Sequence, residues 1–185
     1  MMKEQHKSAV YLIGYRASGK TSAARAVASA LSCLFADTDR LIEDSAGRDI
    51  ASIFRDSGEP AFRQLESEVL ETLSVRALAG EELVVATGGG VVLSEENCER
   101  MRKTGLVIWL RAPASVLRER IEGDPGTVRN RPALSGDSAA AEVEDVLERR
   151  YPLYDAAADR IVDTAELDRE EVCAAIVAAI TESLE

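Results

Sequence analysis

The sequence predicts a three-layer α/β/α domain built on a five-stranded parallel sheet. Three observations carry that expectation. Short apolar runs recur along the 185 residues. Longer stretches with helical spacing lie between them. No turn signature joins two runs as a hairpin. Strand alternating with helix in this way places neighbouring strands parallel, with helices covering both faces of the sheet. At this length one domain, residues 1–185, with a substantial core is the economical reading.

The first run, Ala9-Val10-Tyr11-Leu12-Ile13, is continuous and apolar, as a strand buried on both faces should be. It leads into Gly14-Tyr15-Arg16-Ala17-Ser18-Gly19-Lys20-Thr21, a complete G-x-x-x-x-G-K-[ST] phosphate-binding loop. Gly14 and Gly19 let the backbone turn tightly, so that successive N–H groups converge on phosphate. Lys20 is expected to reach the β- and γ-phosphates, and the Thr21 hydroxyl to ligate Mg²⁺. Residues 22–31 are alanine-rich without Gly or Pro and read as a helix, whose N-terminus adds positive charge beneath the phosphates. Strand, loop and helix in this order make the fold a P-loop NTPase type. Gly14, Ala17, Ser18, Gly19, Lys20, Thr21 and Ser22 are the expected contacts to a nucleotide's phosphates.

Further strands are expected at residues 34–36, 83–86, 106–110 and 160–162. Helices are expected at 50–56, 60–79, 95–103, 114–121, 139–157 and 168–183. The last carries Val172, Ile176, Val177 and Ile180 as one apolar stripe, which reads as core packing. Residues 122–137 break the alternation. Gly123, Pro125, Gly126, Pro132 and Gly136 exclude regular structure, and Arg129 and Arg131 stand among them. Two arginines in such a loop suggest a mobile lid that closes over the γ-phosphate. Both are candidates for that contact, and the neighbouring Pro132 favours Arg131.

Ligands of open parallel sheets sit beyond the carboxyl ends of the strands, so the residues just past each strand are informative. The second strand ends in Asp37-Thr38-Asp39. There Asp37 can hold a water on Mg²⁺, and Asp39 can accept a hydroxyl proton or a substrate hydrogen bond. Alone, two acids in a chain with 33 Asp and Glu could equally be surface decoration. Past the third strand come Gly88-Gly89-Gly90, costly in backbone entropy and suited to a ligand that touches the main chain. Arg63 and Arg150 are suited to bidentate capture of a carboxylate.

Bulk properties exclude other classes. A net charge of −11 argues against a nucleic-acid partner. Aromatics make up only 4 % of a chain that is 46 % hydrophobic, so Leu, Val, Ile and Ala must build the core. Cys33, Cys98 and Cys173 are widely spaced and are expected as reduced, buried thiols. The lone His6 lies in a polar leader and is neither a base nor a ligand candidate. No apolar run approaches ~18 residues, which predicts a soluble, cytoplasmic protein with no membrane partner.

Taken together, these residues resemble the shikimate kinases. The likeness runs from Tyr11 to about Thr164. It rests on the phosphate loop, Asp37-Thr38-Asp39, Gly58-Glu59 with Phe62-Arg63 and Glu66, Gly88-Gly89-Gly90, Arg131-Pro132, and Arg150 with Tyr154 and Ala158. The resemblance implies ATP-dependent phosphorylation of the 3-hydroxyl of shikimate, with Mg²⁺, by a monomer. It implies Asp39 as base and substrate contact, Asp37 in the magnesium shell, and Arg63 and Arg150 on the substrate carboxylate. It also implies the glycine run, Gly88, Gly89 and Gly90, on substrate through its backbone, with Lys20, Asp39 and Arg131 as the catalytic set. Arg120, just before the lid, is a candidate to stack on adenine. The acidic tail after Thr164 lacks the Pro of many relatives, so adenine contacts are not carried onto it. A related kinase for gluconate and a non-catalytic nucleotide-binding regulator stay open as alternatives.

Overall fold

The sheet is five-stranded, every pairing is parallel, and its order is β2-β3-β1-β4-β5. A computed structural model describes residues 8–123 and 143–183 of the chain. His6, Arg129 and Arg131, and with them most of the expected lid, lie outside the described residues. The strands are β1 (Ala9–Ile13), β2 (Leu34–Asp37), β3 (Leu83–Ala86), β4 (Gly105–Arg111) and β5 (Arg160–Asp163). All five fall where the apolar runs predict. β1 is central, with Tyr11 in register with Val85 on one side and Val107 on the other. Its continuous apolarity reflects that position, since neither face meets water.

Alternation along the strands builds two cores. Tyr11, Ile13, Val85, Val107 and Trp109 point to one side, where they pack with Leu70, Leu73, Met101 and Tyr154. Those partners come from α3 (Ile50–Leu78), α4 (Glu95–Thr104) and α6 (Val143–Ala157). Leu12, Val84, Ile108 and Leu110 point to the other side, against Ala24, Val27 and Ile176 of α1 (Lys20–Leu31) and α7 (Arg169–Glu182). Burying a side chain such as Leu70 or Leu73 contributes about 2 kcal/mol each. The stripe expected on α7 is therefore packing: Val172 and Ile176 are buried, with Val177 and Ile180 partly buried beside them. α5 (Ala114–Glu122) forms a smaller cluster with α6 through Leu117, Ile121, Val143 and Leu147.

Three details depart from expectation. A helix not expected from sequence, α2 (Thr38–Ala46), begins directly after β2. Asp37 caps it by accepting from the backbone N–H groups of Asp39 and Arg40, and Gly47 ends it with φ 65°. The helices expected at 50–56 and 60–79 form one run, α3, broken at Gly58, where φ 78° and ψ 172° leave the helical region ahead of Pro60. Of the three cysteines, all free, only Cys98 is buried; Cys33 and Cys173 are half-buried. Burial pushes the Cys98 thiol above its ordinary pKa. No helix among the described residues is long and apolar enough to cross a membrane.

Candidate active site

β1 runs straight into the phosphate loop. Gly14 adopts φ 143°, and a Cβ there would lie 2.6 Å from the Leu110 carbonyl oxygen, so only glycine fits. The chain then closes a turn, the Ser18 N–H donating to the Tyr15 carbonyl at 3.2 Å. Ala17 and Gly19 both take left-handed conformations, φ 60° and 91°, before α1 starts at Lys20. Such alternation turns consecutive N–H groups inward and makes an anion-binding concavity. The Lys20 ammonium is buried in it, donating to the Gly14 and Tyr15 carbonyls at 2.8 and 2.7 Å and to Ser18 Oγ at 3.4 Å.

The left-handed conformation at Ala17 costs an L-residue about 1–2 kcal/mol. Ala17→Gly should therefore raise Tm by about 2–4 °C, once the greater unfolded-state freedom of glycine is offset. A thermal melt checks this, and a lower Tm would contradict it.

The acidic pair sits beside the loop because β2 ends one strand away from it, across β3. Thr21 Oγ1 donates to Asp37 Oδ2 at 2.8 Å, joining the last loop residue to the strand end. The other Asp37 oxygen caps α2, so the same carboxylate orients both the loop and the helix that carries Asp39. Between the two acids, the buried Thr38 hydroxyl accepts from the Gly88 N–H at 3.0 Å. The signal for α2 was present in the sequence: a capping Asp, apolar Leu41 and Ile42 one turn on, and Gly47 as a stop.

The glycine run meets two arginines. A Cβ on Gly90 would run into the Arg63 guanidinium, with Cζ at 2.7 Å. Arg63 is held by Glu66 Oε2 at 2.8 Å and Glu59 Oε1 at 2.9 Å. Burial works against its charge, but the two glutamates outweigh that and lift its pKa, so it remains a cation. Arg150 Nη1 and Tyr154 Oη both donate to the neighbouring Gly89 carbonyl, at 3.3 and 2.5 Å. The Gly89 and Gly90 N–H groups have no acceptor among the described residues.

One cavity of about 890 Å³ joins these parts. Ala17, Ser18, Gly19, Lys20, Thr21, Ser22, Asp37, Asp39, Gly89 and Arg120 line it, as the sequence predicts for one site. Gly14 supports it from beneath, while Arg63, Gly88, Gly90 and Arg150 stand behind Gly89 rather than on its wall. Sequence reasoning missed Arg16 and the far end, formed by Thr164, Leu167, Asp168, Arg169 and Val172. Arg120 is fixed there by Thr164, whose carbonyl oxygen accepts from Nη2 at 2.5 Å. Arg16, Lys20, Arg120 and Arg169 line the cavity together with Asp37, Asp39 and Asp168, so the lining has one more cation than anions in a chain of net charge −11. An anion is what such a cavity attracts.

Fold and cradle together define the class: a P-loop protein of the small-molecule kinase type. A profile of the family described as Shikimate kinase matches residues 16–181. A shikimate kinase of Symbiobacterium thermophilum is 40 % identical over 173 residues, covering 94 % of this chain and 96 % of that one. The solved shikimate kinase from Acinetobacter baumannii, in complex with shikimate, superposes with a TM-score of 0.86 at 31 % identity, covering 97 % of this chain and 96 % of that one. The chain belongs to the shikimate kinase family. A gluconokinase from Sinorhizobium meliloti, at TM-score 0.56 and 19 % identity over 97 % of both chains, shares the fold alone.

Proposed function

We propose that this protein transfers the γ-phosphoryl group of ATP to the 3-hydroxyl of shikimate, giving shikimate 3-phosphate and ADP. The observation that carries the reading is the glycine run, where Gly89 packs on the phosphate loop, Arg63 lies against Gly90 and Arg150 donates to the Gly89 carbonyl. Gly89 makes the junction. A Cβ there would lie 3.4 Å from both Arg16 N and Gly14 O of the loop, and its carbonyl is held by Arg150. A nucleotide tail and a small hydroxy-acid would thus meet end to end.

In this reading Asp39 orients the acceptor hydroxyl and takes its proton as the oxygen bonds to the γ-phosphorus. The bond from that phosphorus to the bridging oxygen breaks, and its electrons leave with ADP. Lys20 and the loop N–H groups neutralise charge on the transferring group. Arg131 of the lid is proposed to add to them. Arg120, anchored on Thr164, offers its guanidinium plane to the base.

The donor set fits Mg²⁺. A hydroxyl and a carboxylate oxygen of Thr21 and Asp37 lie 2.8 Å apart, both hard ligands. No group of three or more His, Cys, Asp or Glu among the described residues could hold a metal alone, so nucleotide oxygens would complete the shell. Bound there, Mg²⁺ would polarise the phosphates. The reading also takes the protein as a cytoplasmic monomer, independent of membrane and nucleic acid; the charge of −11 supports the last point.

A coupled ADP-release assay with shikimate, gluconate and no acceptor tests this. Shikimate-dependent release is expected. Gluconate-dependent release would favour the sister kinase, and no release with either would favour a non-catalytic module. Arg63→Ala should raise the shikimate KM about 30-fold or more and leave the ATP KM within about twofold. It also removes the ion pair of Arg63 with Glu66, which is 1 % exposed, so Arg63→Lys is the better-folded companion. A raised ATP KM with an unchanged shikimate KM would contradict the assignment.

A further inference from the structure

We infer that Tyr154 is a positioning residue for the acceptor site, acting through the Gly89–Gly90 peptide; this rests on the kinase reading above. Tyr154 is fully buried in α6, and its hydroxyl donates to the Gly89 carbonyl at 2.5 Å. Its ring is stacked on Trp109 of β4, centroids 5.5 Å apart and planes at 23°. Trp109 is buried too and is the chain's one tryptophan. The hydroxyl is thus delivered from a rigid platform in the central sheet.

Peptide geometry carries the effect onward. A carbonyl oxygen has two lone pairs, and on Gly89 both can be engaged, one by Tyr154 and one by Arg150 Nη1 at 3.3 Å. The described peptides are all trans, and in a trans peptide the carbonyl and the next N–H point in opposite directions. With the Gly89 carbonyl turned toward α6, the Gly90 N–H is aimed away from it. That N–H is buried and has no acceptor among the described residues. A glycine peptide has no side chain to set its plane; the turn bonds from the Val91 and Leu93 N–H groups hold the Gly88 and Gly90 carbonyls, and α6 holds the Gly89 carbonyl between them. Tyr154 thereby orders in advance a donor that an acceptor oxygen can use.

The test compares Tyr154→Phe with Tyr11→Phe. Both remove one hydroxyl from a fully buried tyrosine. That of Tyr11 meets Thr104 Oγ1 at 2.7 Å and Ser74 Oγ at 3.3 Å, away from the cavity lining. Steady-state kinetics are measured for both substrates, with Trp109 emission as the report on the intact ring stack. Wild-type turnover with shikimate tests the underlying reading by itself. For Tyr154→Phe the shikimate KM should rise about five- to tenfold, with the ATP KM within about twofold and Trp109 emission unchanged. Tyr11→Phe should leave both KM values at wild type. An unchanged shikimate KM in Tyr154→Phe, an equal rise for both substrates, or the same rise in Tyr11→Phe would overturn the inference. So would a shift in Trp109 emission that accounts for the loss through repacking.

Discussion

Lys20→Ala should lower shikimate-dependent ADP release by about 10³-fold while the protein stays folded. The ammonium sits inside the loop concavity at the start of α1, where it donates to the Gly14 and Tyr15 carbonyls. Those two carbonyls belong to a loop already shaped by Gly14, Ala17 and Gly19, so truncation removes charge without removing the turn. Charge on the transferring group would then lose its ammonium partner and lean on the N–H dipoles of the loop. Arginine at this position is a poor substitute, because a planar fork does not replace a compact ammonium packed at 8 % exposure. ADP release and a thermal melt together check the prediction. Turnover above about a tenth of wild type would remove Lys20 from the transfer step.

Asp39→Asn should lower kcat by at least ~100-fold, with smaller effects on either KM. Asparagine keeps the shape and can still hydrogen-bond a hydroxyl, but it cannot take the proton. The variant is clean for a structural reason. Asp37, not Asp39, caps α2, so the helix that carries the side chain keeps its start. Near-normal kcat would exclude the base role and leave Asp39 as a substrate contact.

The phosphate loop was legible because its chemistry is local. Gly14, Gly19, Lys20 and Thr21 stand at fixed spacing within eight residues, and the Lys20 ammonium reaches carbonyls only five and six residues back. The five strands were legible because a buried parallel strand is apolar throughout. α2 was missed because Asp37 and Asp39 were read for chemistry, and the cap role of Asp37 went unweighed. The break at Gly58 was anticipated as a gap between helices, and the φ of 78° explains why the gap is one residue wide in effect. The far end of the cavity could not be read, because Arg120 and Thr164 are 44 residues apart and meet only once β4 and β5 pair.

From the chain order alone came the class of fold, the anion cradle, the acidic couplet and the arginines proposed to hold the acceptor. These follow from residue type, short spacing and the burial that a parallel sheet imposes. Tertiary structure alone decided that β3 separates β1 from β2, so that Asp37 meets Thr21 beside the loop. It also decided that Arg63 and Arg150 come together on the Gly89–Gly90 peptide. Such meetings depend on strand order and helix packing. Those are settled by which faces of distant segments bury together, and no local pattern records that.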